Sequence, residues 1–382
     1  MKIIIVGAGI GGLTAHLVCR RAGFEVEQYE REPRLGPAGA GIMLWSNGVK
    51  ILLTLGLREP LERIGHRLEH VVTRTSRGAP LSEMPVGDFE RRLGAPVFPV
   101  SRTDLQTLLV DAVGADNLHL GANCVRVDQK PSSATAYFED GRKATGDVVV
   151  GADGIHSVIR RAIVGDVAPR YSGVANWAGI IPNDGLQPEH TGYEFFGDGR
   201  RCGLVPLAGD RVFFGFSCAM KEGSPAADGG RLRQVYERFH DWPAPIPAIL
   251  ERCTERDLKY VEIHDLPELT HWSDGRVTLL GDAAHATAPT LAQGGSQAME
   301  DAILLARSLG STTLGVADGL ARYEAKRKER AEMIVSQSRR REQLMHAADP
   351  RVYTELYAAM RSSSITETMQ AQQELLEEGP FG

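Results

Sequence analysis

The first part of the chain alternates between apolar, strand-like runs and a helix-like pattern. Residues 2–6 are mostly β-branched, and the glycine-rich stretch 7–12 follows them directly. Residues 13–22 carry apolar side chains at helical spacing, and residues 25–29 read as a second strand that closes on Glu30. The pattern therefore predicts a βαβ unit of about thirty residues, which is typical of a parallel α/β sheet.

Later elements follow from the same kind of pattern. It predicts helices over residues 47–55, 102–113, 301–309 and 320–345, and a buried strand over 277–280. It also predicts a hairpin over 134–150, which turns at Asp140-Gly141 and ends in the strand 148–150. Ser101 is the predicted N-cap of the second of these helices, with Asp104 in its first turn. The basic run 339–341 predicts a solvated helix face rather than a contact with a partner or with nucleic acid.

Between about residue 171 and residue 220 the pattern changes to short strands. The strand-like stretches 193–196, 203–207 and 212–216 are separated by glycine-aspartate turns. This pattern of short strands predicts an antiparallel sheet that forms a second domain, inserted into the α/β domain.

Length and composition exclude several classes of protein. With 382 residues the chain exceeds the usual size of one hydrophobic core, so two structural domains are expected. The formal net charge of −6 argues against a nucleic-acid partner, because phosphate binding needs a basic surface. The five cysteines are scattered and never form CxxC, which predicts reduced thiols in a cytoplasmic protein. No stretch approaches the roughly 20 apolar residues of a membrane span, so we expect a soluble protein.

The glycine-rich loop Gly7-x-Gly9-x-x-Gly12 lies between a strand and a helix, the context in which this motif binds a dinucleotide. The first glycine permits a tight turn, the second lets the backbone approach a pyrophosphate, and the third allows close packing of helix and strand. Glu30, at the end of the second strand, is placed to accept hydrogen bonds from an adenosine ribose, and Arg31 adjoins it. The loop alone does not separate FAD from NAD.

Two further motifs accompany this loop. One is the segment 148–160, VVVGADGIHSVIR, and the other is 277–289, VTLLGDAAHATAP, which leads into Gln293-Gly294-Gly295. In this order and spacing the three motifs resemble the signature of the para-hydroxybenzoate-hydroxylase-like flavin monooxygenases, over nearly the whole chain. Three stretches most resemble the FAD-dependent urate hydroxylases within that family, namely 175–177, 199–201 and 379–382.

The resemblance implies an α/β fold with a Rossmann-type FAD-binding domain, an inserted antiparallel-sheet substrate domain and a C-terminal helical segment. We place the FAD-binding domain at residues 1–72, 96–168 and 272–320, the substrate domain at 73–95 and 169–271, and the helical segment at 321–382.

Several residues are candidates for holding non-covalent FAD. Asp282 ends a buried strand, where its carboxylate can accept a hydrogen bond from a ribityl hydroxyl. Gly294 and Gly295, at a predicted helix N-terminus, can donate N–H groups to the electron-rich edge of a reduced flavin. The resemblance adds four positions to the cofactor set: Arg102, Cys124, Val125 and Asp153. From the residues alone, Asp153 reads equally as a turn former, and Arg160 as a structural ion-pair partner.

Arg201 is the candidate catalytic and substrate-binding residue, because it matches the active-site arginine of urate hydroxylases. A guanidinium there can bind an anionic substrate or stabilise charge that develops on its ring. Asn176 matches a substrate-contacting asparagine. Phe213 and Thr290 stand where urate hydroxylases carry a tyrosine and an aspartate, so a polar purine would leave buried groups unpaired. The substrate is therefore expected to be a phenol, a hydroxyquinoline-like ring or another heteroaromatic compound that is less polar than urate.

The resemblance implies an FAD-dependent monooxygenase that uses NADH or NADPH and O₂ to hydroxylate such a ring through a flavin C4a-hydroperoxide. A flavin-dependent epoxidase or oxidase on the same scaffold, and a non-enzymatic flavin-binding protein, are the alternatives. No metal site is predicted, since neither His156 nor His285 has a second ligand at metal spacing. The sequence leaves monomer and homodimer open.

Overall fold

The computed structural model describes residues 1–36, 40–224, 230–311, 315–377 and 379–380. Its strands are β1 (Lys2–Val6), β2 (Glu25–Tyr29), β3 (Gly41–Leu44), β4 (His70–Thr75), β5 (Pro80–Met84), β6 (Phe98–Ser101), β7 (Leu118–His119), β8 (Cys124–Lys130), β9 (Ser133–Phe138), β10 (Lys143–Gly146), β11 (Val148–Gly151), β12 (Arg170–Pro182), β13 (Thr191–Gly197), β14 (Arg200–Leu207), β15 (Arg211–Ala219), β16 (Lys259–Asp265), β17 (Ser273–Asp274) and β18 (Val277–Leu279). Its α-helices are α1 (Ile10–Arg21), α2 (Ser46–Thr54), α3 (Arg58–Ile64), α4 (Asp88–Leu93), α5 (Arg102–Val113), α6 (Val158–Val164), α7 (Arg231–Phe239), α8 (Ile246–Arg252), α9 (Asp282–His285), α10 (Gly294–Leu309), α11 (Val316–Met345), α12 (Pro350–Ser362) and α13 (Ile365–Glu377).

A six-stranded sheet in the order β17-β18-β11-β1-β2-β7 forms the first layer. Its strands are parallel except for the edge strand β17. The central strands β1 and β11 are fully buried at Ile3–Ile5 and at 148–150, because both faces of a parallel sheet are covered. The predicted βαβ unit is therefore confirmed.

The predicted hairpin over 134–150 is correct only in part. Strands β9 and β10 do pair antiparallel around the turn at Asp140-Gly141, within a three-stranded sheet with β8. The apolar strand 148–150 instead joins the parallel sheet beside β1. A continuous apolar run suits a strand that is buried on both faces better than one in an exposed hairpin.

A seven-stranded sheet in the order β16-β12-β15-β14-β13-β4-β5 forms the second layer. The prediction of an antiparallel sheet is correct for β12 to β16, but β13 pairs with β4 in parallel. One face of this sheet packs on α7 and α8 through a cluster that includes Trp177, Phe195, Phe214, Phe216 and Phe239. We call the other face, which carries Asn176, Arg201 and Phe213, the open face. The exact division of the chain into domains stays a prediction, and β4 straddles the proposed boundary at residue 73.

Helix α11 joins the two layers. Near its start the Tyr323 hydroxyl donates to the carbonyl of Leu279 in β18, and near its end Arg339 donates to Asp265 of β16. Arg341 donates to Glu194 of β13. The prediction that the basic run 339–341 is a solvated face is therefore wrong for two of its three arginines, because the second sheet supplies carboxylates that face them.

The remaining predicted helices are present, although α10 begins at Gly294, before the predicted start at residue 301. Helix α5 begins and ends where the pattern put it, and Ser101 accepts the N–H of Asp104. The C-terminal helical segment is present as α11 to α13, and residues 381 and 382 of the urate-hydroxylase-like terminus lie outside the described residues. None of the helices in the described ranges combines the length and the apolar character needed to span a bilayer.

Candidate active site

The glycine loop after β1 leaves space for a ligand at one glycine and none at the other two. A Cβ at Gly12 would overlap the carbonyl oxygen of Gly7, and Gly7 itself has φ +109° and abuts the Ala152 carbonyl. At Gly9, apart from the glycine and its two chain neighbours, no atom of the described residues lies within 4 Å of the Cβ position. Only glycine therefore fits at positions 7 and 12, whereas the opening at Gly9 suits close approach of a pyrophosphate.

Glu30 is anchored beside this loop. One carboxylate oxygen accepts the N–H of Ala8 at 2.7 Å, and the other accepts the N–H of Glu32 at 2.9 Å. A carboxylate has about four acceptor sites, so two remain for ribose hydroxyls. Arg31 is largely exposed and lies 3.5 Å from Glu32, so its side chain is part of a surface ion pair.

Cys124 and Val125 lie at the start of β8, where the strand register with β9 shifts. Cys124 is buried, and Val125 is half exposed on the bulge. A bulge takes backbone groups out of the ladder, so Val125 can offer them to a flat base.

Asp282 and the two glycines of α10 lie at helix N-termini. Asp282 is the first residue of α9, and its side chain is exposed. Helix α10 begins at Gly294, so the first N–H groups of its first turn have no partner inside the helix. Arg102 is exposed at the start of α5, with its own N–H donated to the Ala40 carbonyl.

Asp153 and Arg160 hold the loop after β11. The Asp153 carboxylate accepts from the Ser157 hydroxyl and from the N–H of Val158, and burial raises its pKa. The Arg160 guanidinium donates to the carbonyls of Ile155 and Ala283, which ties this loop to α9. The interpretation of Arg160 as an ion-pair partner is therefore wrong, because its partners are carbonyl oxygens.

A buried ionic network fixes the start of α9 from behind. One oxygen of Asp301 accepts the N–H of Gly281 and lies 2.7 Å from His285 Nε2, and the other accepts from Arg327. Burial would raise the pKa of Asp301, but His285 and Arg327 bring it down to about 2. His285 thus has a structural partner, and the network holds the loop that carries Asp282.

These observations together test whether FAD fits the chain. The chain offers the donor and acceptor types that a dinucleotide needs. They are an open glycine turn, an anchored carboxylate at the end of a strand, an exposed carboxylate at the start of one helix, and free N–H groups at the start of another. They are presented by Gly9, Glu30, Asp282 and Gly294. The residues fit FAD, and each remains a candidate contact.

The open face of the second sheet brings the substrate-side candidates together. Asn176, Ser217 and Arg201 are directly opposite one another on β12, β15 and β14. Residues that are opposite across strands share a face of the sheet, so their side chains project together. Phe213 lies four residues before Ser217, and it packs tightly against the backbone of Gly41 in β3.

Arg201 is held by a carboxylate that sequence reasoning missed. Glu194 of β13 accepts from Arg201 Nε at 2.8 Å, and its other oxygen accepts from Arg341 at 2.7 Å. Glu194 is buried, and although burial opposes ionisation, Arg341 and Arg201 keep its pKa below the ordinary value. The only sign of this role in the sequence is a lone glutamate within an apolar strand.

Arg200, the neighbour of Arg201, points to the other face. Its guanidinium donates to the Arg238 carbonyl and lies over the rings of Phe239 and Trp242. Alternation along β14 therefore resolves which of the two arginines belongs to the open face.

Thr290 is buried, and its hydroxyl donates to the Ser338 carbonyl of α11 at 2.7 Å. Its proton is therefore engaged within the protein, and a ligand would meet an acceptor or the methyl group. This differs from the aspartate that urate hydroxylases carry at the position.

Ser217 and His346 form a second pair that the sequence did not reveal. His346 Nδ1 lies 2.9 Å from the Glu342 carbonyl, which can only accept, so Nε2 is left to accept the Ser217 O–H at 2.8 Å. Burial lowers the pKa of His346 to about 4, so the ring is neutral near pH 7. Ser217 lies on β15, and His346 follows the last residue of α11, whose docking against this sheet was not predicted.

Glu342 is expected to make stability depend on pH. Burial raises the pKa of its carboxyl to about 7, whereas an unfolded glutamate titrates at about 4.3. The folded state thus binds the proton more tightly, and the stabilisation present below about pH 4 is lost as pH rises towards 7. We expect the free energy of unfolding of Glu342→Gln, taken relative to that of the native chain, to rise by about 2–3 kcal/mol between pH 5 and pH 8.

Urea unfolding of both forms at the two pH values measures this difference. Glu329→Gln, at an exposed position on the same helix, is the control and should show no such gain. An equal effect of Glu342→Gln at pH 5 and pH 8 would contradict the assignment.

Comparison with known proteins shows the family of the chain. The family described as FAD binding domain matches residues 1–338. The FAD-dependent urate hydroxylase of Mycolicibacterium vanbaalenii is 36% identical over 372 residues, which cover 96% of this chain and 94% of that protein. The aurachin C monooxygenase/isomerase of Stigmatella aurantiaca is 37% identical over 341 residues, which cover 89% and 88%. The crystal structure of Klebsiella pneumoniae HpxO complexed with FAD and uric acid matches with a TM-score of 0.95 at 31% identity, covering 100% of this chain and 98% of that one.

Proposed function

The chain belongs to the FAD binding domain family and is an FAD-dependent monooxygenase of the aromatic-hydroxylase type, and from this premise we propose which residues act and on what. The proposed substrate is an aromatic or heteroaromatic ring less polar than urate, bound on the open face of the second sheet. NADH or NADPH is the proposed reductant and O₂ the proposed oxidant. The observation that carries this proposal is the Arg201 guanidinium, held by Glu194 on the face of the sheet that also carries Asn176.

The proposed cofactor contacts follow from the fit of the chain to FAD. Gly9 would face the pyrophosphate, on a turn that Gly7 and Gly12 allow to form. Glu30 would bind the ribose, and Asp282 a ribityl hydroxyl. The first N–H groups of α10, from Gly294 and Gly295, would face the pyrimidine edge of the ring. Five further contacts are proposed with less direct support from the fold: Arg31, Arg102, Cys124, Val125 and Asp153. When bound, FAD supplies the redox chemistry that moves electrons from the nicotinamide and an oxygen atom to the ring.

The chain's own residues would bind and polarise the substrate. Arg201 carries a full positive charge held in place by Glu194, so it can bind an anionic ring oxygen without first reorganising. Arg341 shares Glu194, so this group of three keeps one net positive charge on the open face. Phe213 would supply an apolar wall and Asn176 a polar group, whereas the Thr290 hydroxyl already donates its proton to Ser338. A water-poor pocket of this kind strengthens the attraction between Arg201 and developing negative charge.

The relatives do not all share one substrate. One of them is named for urate and another for aurachin C, so the family accommodates more than one ring. The departure at Phe213 and the internal hydrogen bond of Thr290 remove two polar partners from the pocket, and a fully polar purine would be penalised for that loss.

A substrate screen tests the function. Candidate phenols, hydroxyquinolines and urate are added to the FAD-loaded protein, and NAD(P)H oxidation, oxygen uptake and products are measured. We expect one class of ring to stimulate oxidation and to appear as a hydroxylated product. Oxygen uptake without an oxygenated product would instead identify an oxidase, and an epoxide product would identify an epoxidase.

Non-covalent FAD is a separate expectation. The purified protein should be yellow, because the loop at Gly9 and the helix starts at Asp282 and Gly294 are exposed to a ligand. Denaturation followed by filtration should release all of the flavin. Flavin retained on the chain, or a colourless protein that does not take up FAD, would contradict this expectation.

We also propose that the protein works in the reducing cytoplasm. All five cysteines are buried free thiols. Burial raises the pKa of Cys19 and of Cys253 to about 12, which keeps these thiols protonated and unreactive. Thiol titration of the protein purified without reductant should find five free thiols after denaturation.

A further inference from the structure

The last described part of the chain, α13 with residues 379 and 380, lies against α2 and α4. We call it the C-terminal strap. Met369 and Leu376 of α13 are buried in one apolar cluster with Trp45, which directly precedes α2, and with Phe89 of α4. The strap is therefore docked through its apolar side chains on two helices of the N-terminal hundred residues.

The strap also covers one end of the buried ionic network. The Leu375 carbonyl accepts from Arg330 Nη2 at 3.0 Å, and Arg330 Nε donates to Glu300 at 2.9 Å. A Cβ at Gly379 would lie 3.1 Å from Glu300 Oε1, which is closer than an ordinary contact, so the main chain of the strap closes over this carboxylate. Glu300 is fully buried, and the strap helps to exclude water from it.

Asn47 of α2 connects this carboxylate to the residue that precedes α10. Its Nδ2 donates to Glu300 Oε1 at 2.7 Å and to Gln293 Oε1 at 2.9 Å, so both hydrogens of the amide are used. Gln293 is the N-cap residue of α10, and the N–H groups of Gly294 and Gly295 follow it. One side chain thus ties the start of α10 to the carboxylate that the strap covers.

Trp45 makes a second connection between the strap and the start of α10. Its indole N–H donates to the Leu291 carbonyl at 3.2 Å, two residues before Gln293. The indole ring meets the Phe89 ring edge-on at a centroid distance of 6.2 Å, in the cluster that Leu376 completes. Two separate connections from the strap therefore end just before the N–H groups that are proposed to face the flavin.

Few buried groups hold the strap in place. Over its described residues only Met369 and Leu376 are buried, and α12, described along its whole length, contributes no buried residue. Leu376, Gly379 and Asn47 line a cleft of about 250 Å³. Well-packed interiors have no voids of this size, and segments with few buried contacts open most easily. The docking of the strap is therefore an equilibrium that a modest free energy can shift.

We propose that the C-terminal strap is a positioning element of the cofactor site, which holds the start of α10 through Asn47 and Trp45 and is itself held in place when FAD binds there. Asn47 and Trp45 are positioning residues, since neither is proposed to touch FAD. This inference rests on the proposed contact of Gly294 and Gly295 with the flavin. Coupling between two sites is reciprocal, so FAD must stabilise the docked strap by the same factor by which the docked strap strengthens FAD binding.

Hydrogen exchange of the native chain with and without FAD tests this coupling directly. FAD should slow exchange of the α13 amides about 2- to 30-fold, the range of coupling carried between distant sites. The amides of α7, on the reverse face of the second sheet, are the internal control, and their exchange rates should not depend on FAD. The measurement needs neither a substitution nor turnover.

Asn47→Leu breaks the first connection and keeps the approximate size of the side chain. Glu300 retains its two arginine partners, so the variant should fold. We expect the dissociation constant of FAD to rise about 2- to 30-fold, and the slowing of α13 exchange by FAD to be largely lost. Asn183→Leu is the matched control, because Asn183 is also buried and bonded through its amide, to Gln187, but lies after β12. It should bind FAD like the native chain.

Gly379→Val acts from the strap itself. Its side chain would press on Glu300 Oε1 and lift the strap, so the dissociation constant of FAD should rise although residue 379 is not a proposed cofactor contact. If Asn47→Leu does not fold, this variant and the exchange of the native chain decide the question.

Three results would overturn the role of the strap. They are α13 exchange that is the same with and without FAD, native FAD affinity in both Asn47→Leu and Gly379→Val, and an equal loss of FAD affinity in Asn183→Leu, which would indicate general destabilisation. A native chain that binds no FAD would reject the proposed function instead.

Discussion

Replacing Arg201 by glutamine is expected to reduce product formation a hundredfold or more while leaving FAD binding intact. The guanidinium lies on the open face, ion-paired with Glu194, whereas the cofactor candidates lie in the parallel sheet and its loops. Stabilisation of transition-state charge by a preorganised donor is typically worth about 2.7–4 kcal/mol. Glutamine keeps much of the length of the side chain, and Glu194 keeps Arg341 as a partner, so folding should change little.

Steady-state kinetics with the substrate found by the screen separates two roles of Arg201. A fall in kcat and kcat/KM by the same factor indicates an interaction made in the transition state, whereas a rise in KM alone indicates substrate binding. Arg200→Gln is the control, because Arg200 lies on the reverse face with Phe239 and Trp242. The assignment is wrong if Arg201→Gln hydroxylates normally while Arg200→Gln does not.

Removing the Asp282 carboxylate should weaken FAD binding about 5- to 150-fold. A hydrogen bond from a flavin hydroxyl to a charged acceptor is worth about 1–3 kcal/mol. The side chain is exposed at the first position of α9, so Asp282→Ala removes a ligand contact without breaking a buried one. Fluorescence titration of the apoprotein with FAD measures the change.

Asp318→Ala provides the matched control for this prediction. Asp318 is likewise an exposed carboxylate in the first turn of a helix, α11, away from the cofactor candidates. Its replacement should leave the dissociation constant of FAD unchanged. If Asp282→Ala folds normally and binds FAD as tightly as the native chain, Asp282 is not a cofactor contact.

The buried network behind α9 gives Asp282 its fixed position. Asp301 holds the backbone of Gly281, and His285, Arg327 and Glu300 complete a buried set of hydrogen-bonded polar side chains. Buried ion pairs contribute little net stability but are costly to break, because a single partner would be left unpaired. They therefore make the loop geometry at the cofactor side rigid, and they link it to α11, which also covers the substrate side.

The sequence by itself determined the cofactor half of this protein. Gly7, Gly9, Gly12 and Glu30 belong to one short βαβ unit, and their proposed roles follow from the local turn, from the helix start and from the end of the strand. Asp282 and Gly294 likewise depend on where a strand ends and a helix begins. Such features are set by neighbours in the chain, so motif, spacing and local pattern suffice to predict them.

Only the tertiary structure decided the substrate half. Glu194 reaches Arg201 through the pairing of β13 with β14, and Arg341 and His346 arrive from α11, more than a hundred positions away in the chain. Register and helix docking depend on packing between segments that are distant in sequence, because a shift of one residue would turn every side chain of a strand to the other face. A single sequence carries the charges of this pocket, but the fold alone brings them together.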